Sequence, residues 1–237
     1  MAIKNVVIAS ALIALAGCSS ISNVFKTDKE KVEGPSPLVE LAKPIAIKKL
    51  WSVSIGQGEG ELGLRQKPFI DGDTIFAADS ANELVAIEKA TGKIKWQINA
   101  NKDPNVGGWK FWENKTPTFA LTGGPSVYSG LLAIGSRNGE VMAFNALDGS
   151  LLWKKMVSSS VVAAPLVTSD TVVVRVNDGK VFGLDFATGE KKWQFDRGIP
   201  SLTVRGNSSP VLGPGFIFVG YEDGTLIALN QNDGTRV

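Results

Sequence analysis

From Thr171 to Val176 the chain is almost wholly apolar, turns polar at Asn177-Asp178-Gly179, and is apolar again from Val181 to Phe186. A second turn at Thr188-Gly189 leads into a stretch where Lys192 and Gln194 flank Trp193. Short apolar runs bounded by Asp-Gly turns predict antiparallel strands, with Gly supplying the positive-φ position of each hairpin. The pattern recurs. Pro165 is followed by Gly189 after 24 residues and Trp193 after 28, and Pro125-Gly149-Trp153 and Pro68-Gly92-Trp96 keep both spacings. Pro210 and Gly234 begin a fourth copy, whose Trp falls one position past Val237. Within the copies a tiny residue (Ala86, Ala143, Gly183, Ala228) precedes a large apolar one (Ile87, Phe144, Leu184, Leu229) and then a hydrogen-bonding one (Glu88, Asn145, Asp185, Asn230). A fixed core with variable joints marks a repeat architecture. Sheets in tandem, none able to bury both faces alone, predict an all-β fold: a β-propeller of four-stranded antiparallel blades, about four of them in this chain.

The tiny position is expected to let backbones or neighbouring sheets approach closely. Because Trp96, Trp153 and Trp193 share one repeat position, they read as inter-blade packing and not as binding platforms, with Gly92, Gly149 and Gly189 as their structural companions. Burying ~150–250 Å² of indole contributes roughly 4–6 kcal/mol per blade as an upper figure. Lys48 to Ser54 looks like a Trp strand, centred on Trp51, whose earlier strands are missing. Either the chain is the first half of a larger ring, or Trp51 completes the fourth copy and closes a ring of four blades. The larger, interrupted ring is favoured, because the sequence stops at the onset of a further Trp strand. Unpaired blade faces in a half ring are expected to lower solubility.

The N-terminus changes the picture. Lys4 is a one-charge n-region, and Val6 to Ala14 is an apolar run too short to span a bilayer. Leu15-Ala16-Gly17-Cys18 follows, and Cys18 is the only cysteine, which excludes an internal disulfide. The four residues resemble the lipobox of bacterial lipoproteins, which implies cleavage after residue 17 and acylation of Cys18. Ser19 after the Cys then implies sorting to the outer membrane. Residues 18–47, polar and charged with Gly34, Pro35, Pro37 and Pro44, read as a lipidated tether, and 48–237 as the propeller portion. The formal net charge of +2 gives no basic surface for nucleic acid.

In repeat proteins function collects in the joints. The joint after Trp96 is the longest and carries Trp109, Phe111 and Trp112, which fit a docking patch and a loop pinned onto the blade equally well. The joint after Trp193 contains Leu202-Thr203-Val204-Arg205-Gly206, where an extended chain places Leu202 and Val204 on one face. An apolar pair beside an Arg on a loop is a candidate interface.

The Ala-Thr-Gly-Lys and Ala-Thr-Gly-Glu turns ahead of each Lys-Trp resemble the quinoprotein (PQQ-like) propeller repeat. Together with the lipobox, the tether, the orphan Trp strand and the Leu-Thr-Val-Arg-Gly joint, they resemble the BamB family, propeller lipoproteins of the outer-membrane β-barrel assembly machinery. The resemblance covers the whole chain and the front half of the family's length. It implies an eight-bladed ring, no cofactor, and a periplasm-facing scaffold that binds the POTRA domains of BamA and helps deliver unfolded outer-membrane proteins. The family's Leu-x-Leu-Arg contact pattern maps onto Leu202, Val204 and Arg205, with Val in place of the second Leu. Its second, acidic contact loop falls beyond Val237.

The competing readings are a PQQ-dependent periplasmic dehydrogenase and a generic envelope propeller. With no His in the chain a Ser-His-Asp triad is excluded, and there is no second Cys for the adjacent-Cys disulfide of several such dehydrogenases. Asp148, Asp178, Asp223 and Asp233 sit in turns, and Asp71-Gly72-Asp73 reads as a turn and not as a calcium loop. Catalysis is not expected.

Overall fold

Each Pro-to-Trp copy becomes one antiparallel sheet, because apolar side chains alternate with the pleat and Gly-bearing turns reverse the chain. The computed structural model describes residues 46–57, 66–101, 120–198 and 208–237. The chain divides into a unit over Met1–Lys48, of which 46–48 are described and exposed, and a unit over Lys49–Val237. In the second unit the first sheet holds β1 (Phe69–Asp71), β2 (Thr74–Ala78), β3 (Glu83–Glu88) and β4 (Ile94–Asn99). The second holds β5 (Leu121–Tyr128), β6 (Leu131–Ser136), β7 (Glu140–Asn145) and β8 (Leu151–Met156). The third holds β9 (Leu166–Val167), β10 (Thr171–Arg175), β11 (Lys180–Asp185) and β12 (Lys191–Asp196). The fourth has three strands, β13 (Val211–Gly213), β14 (Phe216–Gly220) and β15 (Leu226–Asn230), plus a single bridge between Leu229 and Arg236.

The apolar core lies between sheets. One cluster joins Phe76 and Leu84 of the first sheet to Leu132, Ile134 and Phe144 of the second. Another joins Val141 and Trp153 to Val172, Phe182 and Leu184 of the third, and a further one joins Val173 and Trp193 to Ile217, Val219 and Leu229 of the fourth. Trp51, Val53 and Ile55 pack on the opposite side of the first sheet, against Ala77, Val85 and Ile87. Among the described residues that N-terminal segment pairs with no strand.

The Trp forms a joint with the sheet that follows its own. A Cβ on Gly92 would lie 2.7 Å from Trp51, one on Gly149 2.9 Å from Trp96, one on Gly189 2.5 Å from Trp153, and one on Gly234 2.3 Å from Trp193. At three of these joints the indole Nε1 also has an acceptor, the carbonyl three residues before the glycine. Trp51 donates to Lys89 O at 2.9 Å, Trp96 to Ala146 O at 3.0 Å, and Trp153 to Phe186 O at 3.0 Å. The fourth joint differs: Trp193 Nε1 is buried without a partner.

Two expectations are refined here. The tiny position accommodates its own sheet's Trp and not a neighbouring backbone: Ala86, Ala143 and Gly183 pair with Trp96, Trp153 and Trp193, and a Cβ on Gly183 would meet the indole at 2.2 Å. The register shifts immediately after each pair, leaving Lys95, Leu152 and Lys192 as bulged residues. The Asp-Gly turns carry the expected positive-φ glycines, Gly149, Gly179, Gly224 and Gly234, but come in two widths. Gly179 N and Gly224 N bond back to the carbonyl three residues earlier, at 3.1 and 3.0 Å. Gly149 N and Gly234 N reach four residues back, at 2.8 and 2.9 Å, which opens the wider turn that the preceding Trp covers.

A candidate partner-binding joint

The candidate contact residues Leu202, Val204 and Arg205 lie outside the described residues, as do Cys18 and the aromatics Trp109, Phe111 and Trp112. What is described is how the chain is held on either side of the joint, at Gly198 and Ser208. The central residue is Arg175, at the end of β10. The same repeat position in the other sheets is Ala78, Gly135 and Gly220, so an Arg here replaces a small residue. Its side chain is only 5% exposed and forms an ion pair with Glu222. Its Nη1 donates to Ser208 Oγ at 3.2 Å, and Ser208 in turn donates to Gly220 O at 2.7 Å. The C-terminal root of the joint is thereby tied to both the third and the fourth sheet.

The other root is tied through Arg197. Its guanidinium pairs with Asp223 and donates to Thr225 Oγ1 at 3.1 Å, while Gly198 N donates to Asp196 Oδ1 at 2.9 Å. Tyr221 joins the two arginines: Arg175 Cζ lies 5.0 Å from its ring centroid and Arg197 Cζ 4.4 Å. Both are within cation–π range. Tyr221 Oη donates to Gly179 O at 3.2 Å, so the phenol also stitches the fourth sheet to the β10–β11 turn.

The electrostatics follow from this geometry. The hydrogen bond from Arg197, then those from the Thr225 backbone and side chain, hold the Asp223 carboxyl well below the usual carboxylate range. The same pair raises Arg197. Burial works to raise Glu222, but its hydrogen bond and charge interaction with Arg175, with a backbone hydrogen bond, outweigh this and lower it. Burial pushes the Tyr221 phenol up, against the two guanidiniums. All four groups keep their ordinary charge at neutral pH, which makes the cluster a clasp and not an acid–base site. Among the described residues no group of three or more His, Cys, Asp or Glu side chains could hold a metal ion.

Sequence reasoning missed the clasp. Arg175 is concealed inside an apolar run, and its signal was positional: a charged residue where three sister copies carry Ala or Gly. Tyr221 and Glu222 occupy a turn, where charged and aromatic residues attract no notice.

Sheets in tandem, Trp-on-Gly joints and the Ala-Thr-Gly turns define a propeller built from PQQ-like repeats. The family described as outer membrane protein assembly factor BamB matches residues 48–108 and 100–237, and the chain belongs to it. The outer membrane protein assembly factor BamB of Xanthomonas campestris pv. campestris is 38% identical over 225 residues, covering 94% of this chain and 54% of the relative. The crystal structure of BamB from Moraxella catarrhalis superposes with a TM-score of 0.59 at 27% identity, over 73% of this chain and 46% of that one. A quinohemoprotein alcohol dehydrogenase from Pseudomonas putida superposes at a TM-score of 0.55 with 16% identity, a likeness of fold alone. The chain spans about half the length of the curated relatives it matches.

Proposed function

We propose that this chain is a non-catalytic scaffold of the outer-membrane β-barrel assembly machinery, binding the POTRA domains of BamA through Leu202, Val204 and Arg205. Leu202 and Val204 bury apolar surface on the partner, and Arg205 pairs with a carboxylate or a backbone carbonyl. Acylated Cys18 anchors the protein to the outer membrane on its periplasmic side, and residues 18–47 hold the propeller off the lipid. In this setting the protein helps deliver unfolded outer-membrane proteins to the insertase. The observation that carries the reading is membership of the BamB family over the whole repeat region. The clasp adds a physical reason for the joint to be the contact. A loop whose two roots are fixed by ion pairs and cation–π contacts loses less conformational entropy on binding than one on free ends.

A titration of the purified chain, from residue 19 onward, against BamA POTRA domains tests this. The Leu202→Ala/Arg205→Ala variant, with its fold checked by circular dichroism, is expected to bind at least about ten-fold more weakly, or ~1.4 kcal/mol. Equal binding by the folded variant removes the joint from the interface.

A further inference from the structure

At one end of the second sheet four large side chains are exposed where the third sheet carries small or polar ones. That end is formed by the β5–β6 and β7–β8 turns, which Ala146 N joins by donating to Gly130 O at 2.8 Å. Leu147, at the tip of the β7–β8 turn, is 84% exposed, and the same repeat position holds Ala90, Ala187 and Asn232 in the other sheets. Leu151 and Leu152 open β8, where the third sheet has Lys191 and Lys192. Tyr128 closes β5, where the first sheet has Asp71 and the third has Thr168. Leu152 is 52% and Tyr128 48% exposed. The neighbouring charges are already engaged. Asp148 accepts from Ser150 N and Oγ at 2.9 and 2.7 Å, Lys154 pairs with Glu140 at 3.1 Å, and Lys155 pairs with Glu190.

The chain enters the folded unit at this same end. Trp51 lies over Gly92 and donates to Lys89 O in the β3–β4 turn, and Leu50 before it is exposed. The first sheet adds exposed Ile94 just after that turn. The β3–β4 and β7–β8 turns lie on one side of the molecule, because Trp96, near the start of β4, covers Gly149. The clasp lies at the other end, where Arg175 closes β10 and Glu222 follows β14. The approach from Cys18 and the apolar tips therefore share one end, and the partner-binding joint has its roots at the other.

We propose that this end of the second sheet is a lipid-contact surface. Leu147, Leu151 and Leu152 enter the boundary between headgroups and acyl chains, and the Tyr128 phenol sits at headgroup level. The proposal rests on the anchor reading above for the presence of the membrane. Apolar side chains on turn tips suit a fluid surface, whereas a folded partner needs a pocket to receive its side chains. None of the four lines the recess between the second and third sheets. An anchor at Cys18 keeps this end close to the bilayer, so a contact too weak to hold a detached protein is still populated. Docked in this way, the molecule points the joint between Gly198 and Ser208 away from the lipid.

The test separates contact from anchoring. The chain from Cys18 onward is coupled through that thiol to a maleimide lipid in vesicles of phosphatidylethanolamine and phosphatidylglycerol, which supplies an anchor whether or not the cell acylates Cys18. Photoreactive p-benzoylphenylalanine replaces Leu147, or Arg137, exposed at the opposite end, as the control. Illumination is expected to give a lipid adduct, read by intact mass, about ten-fold more abundant at the Leu147 position than at the Arg137 position. Leu151→Lys/Leu152→Lys installs the residues that β12 carries and so preserves the strand, with circular dichroism as the check. It is expected to lower the adduct at the Leu147 position several-fold. Equal adducts at the two positions, no lipid adduct at either, or an adduct undiminished by the double variant overturns the proposal. Crosslinks between protein chains in place of lipid also overturn it and assign the surface to a second copy. The assay contains no POTRA domain and fixes its own anchor, so its failure is distinguishable from failure of the scaffold reading. Acylation of Cys18 is read separately, from the mass of the membrane-extracted protein.

Discussion

Arg175 shows how one residue turns a packing position into an anchor. Burying a guanidinium is costly unless charge and hydrogen bonds are returned, and here Glu222, Ser208 and the Tyr221 face return them. Its Nε stays unpartnered, so the site is not fully compensated. Removing the side chain would leave Glu222, 20% exposed, beside an unfilled space and without its hydrogen-bonded counter-charge. Arg175→Ala is expected to cost about 2–3 kcal/mol, less than a fully buried pair because Glu222 reaches solvent. Arg197→Ala is expected to cost clearly less, because its ion pair with Asp223 is nearer the surface. Urea unfolding of the two variants gives the comparison. Equal costs would mean that Arg175 acts as a surface charge despite its burial.

The Trp joint is the working unit at the level of elements. At each joint an indole sits over the turn glycine of the sheet that follows it in the chain, and the indole Nε1 caps a carbonyl of that turn at three of the four joints. Trp153→Phe therefore removes a hydrogen bond and leaves Phe186 O without its donor, while Trp193→Phe removes an N–H that had no partner. Both lose similar apolar contact. The first is expected to be more destabilising by about 1 kcal/mol, read from paired urea melts. If Trp193→Phe proves the costlier, the fourth joint holds a hydrogen bond in solution. Most of this unit was legible in the sequence, because repetition placed Pro and Gly at fixed spacing four times and Trp three times. The role of the tiny residue was not, since spacing along the chain does not say which cross-strand neighbour lies on it. Pairing Gly183 with Trp193 needs the register of β11 and β12. The clasp escaped for a related reason: Arg175 and Glu222 are 47 residues apart and belong to different copies.

In the Lys49–Val237 unit the core clusters join successive sheets, the first to the second, the second to the third, and the third to the fourth. Such an arrangement distributes stability as nearest-neighbour terms and not through one central core. The second and third sheets receive such a contribution on both faces. The fourth receives it on one, and Val211, Leu212 and Leu226 are 59%, 46% and 67% exposed there. Native-state hydrogen exchange is therefore expected to rank the amides. Those of β6, β7, β10 and β11 should be the slowest, and those of β14 and β15 should open at lower free energy. Ile217→Ala sharpens the test, because Ile217 is fully buried between the third and fourth sheets. A cavity there costs about 2–5 kcal/mol locally. Nearest-neighbour coupling predicts faster exchange throughout the fourth sheet, a smaller effect in the third, and none in the first. Uniform acceleration across all four sheets would mean that they unfold as one block, with the joints too strong to let the sheets act separately.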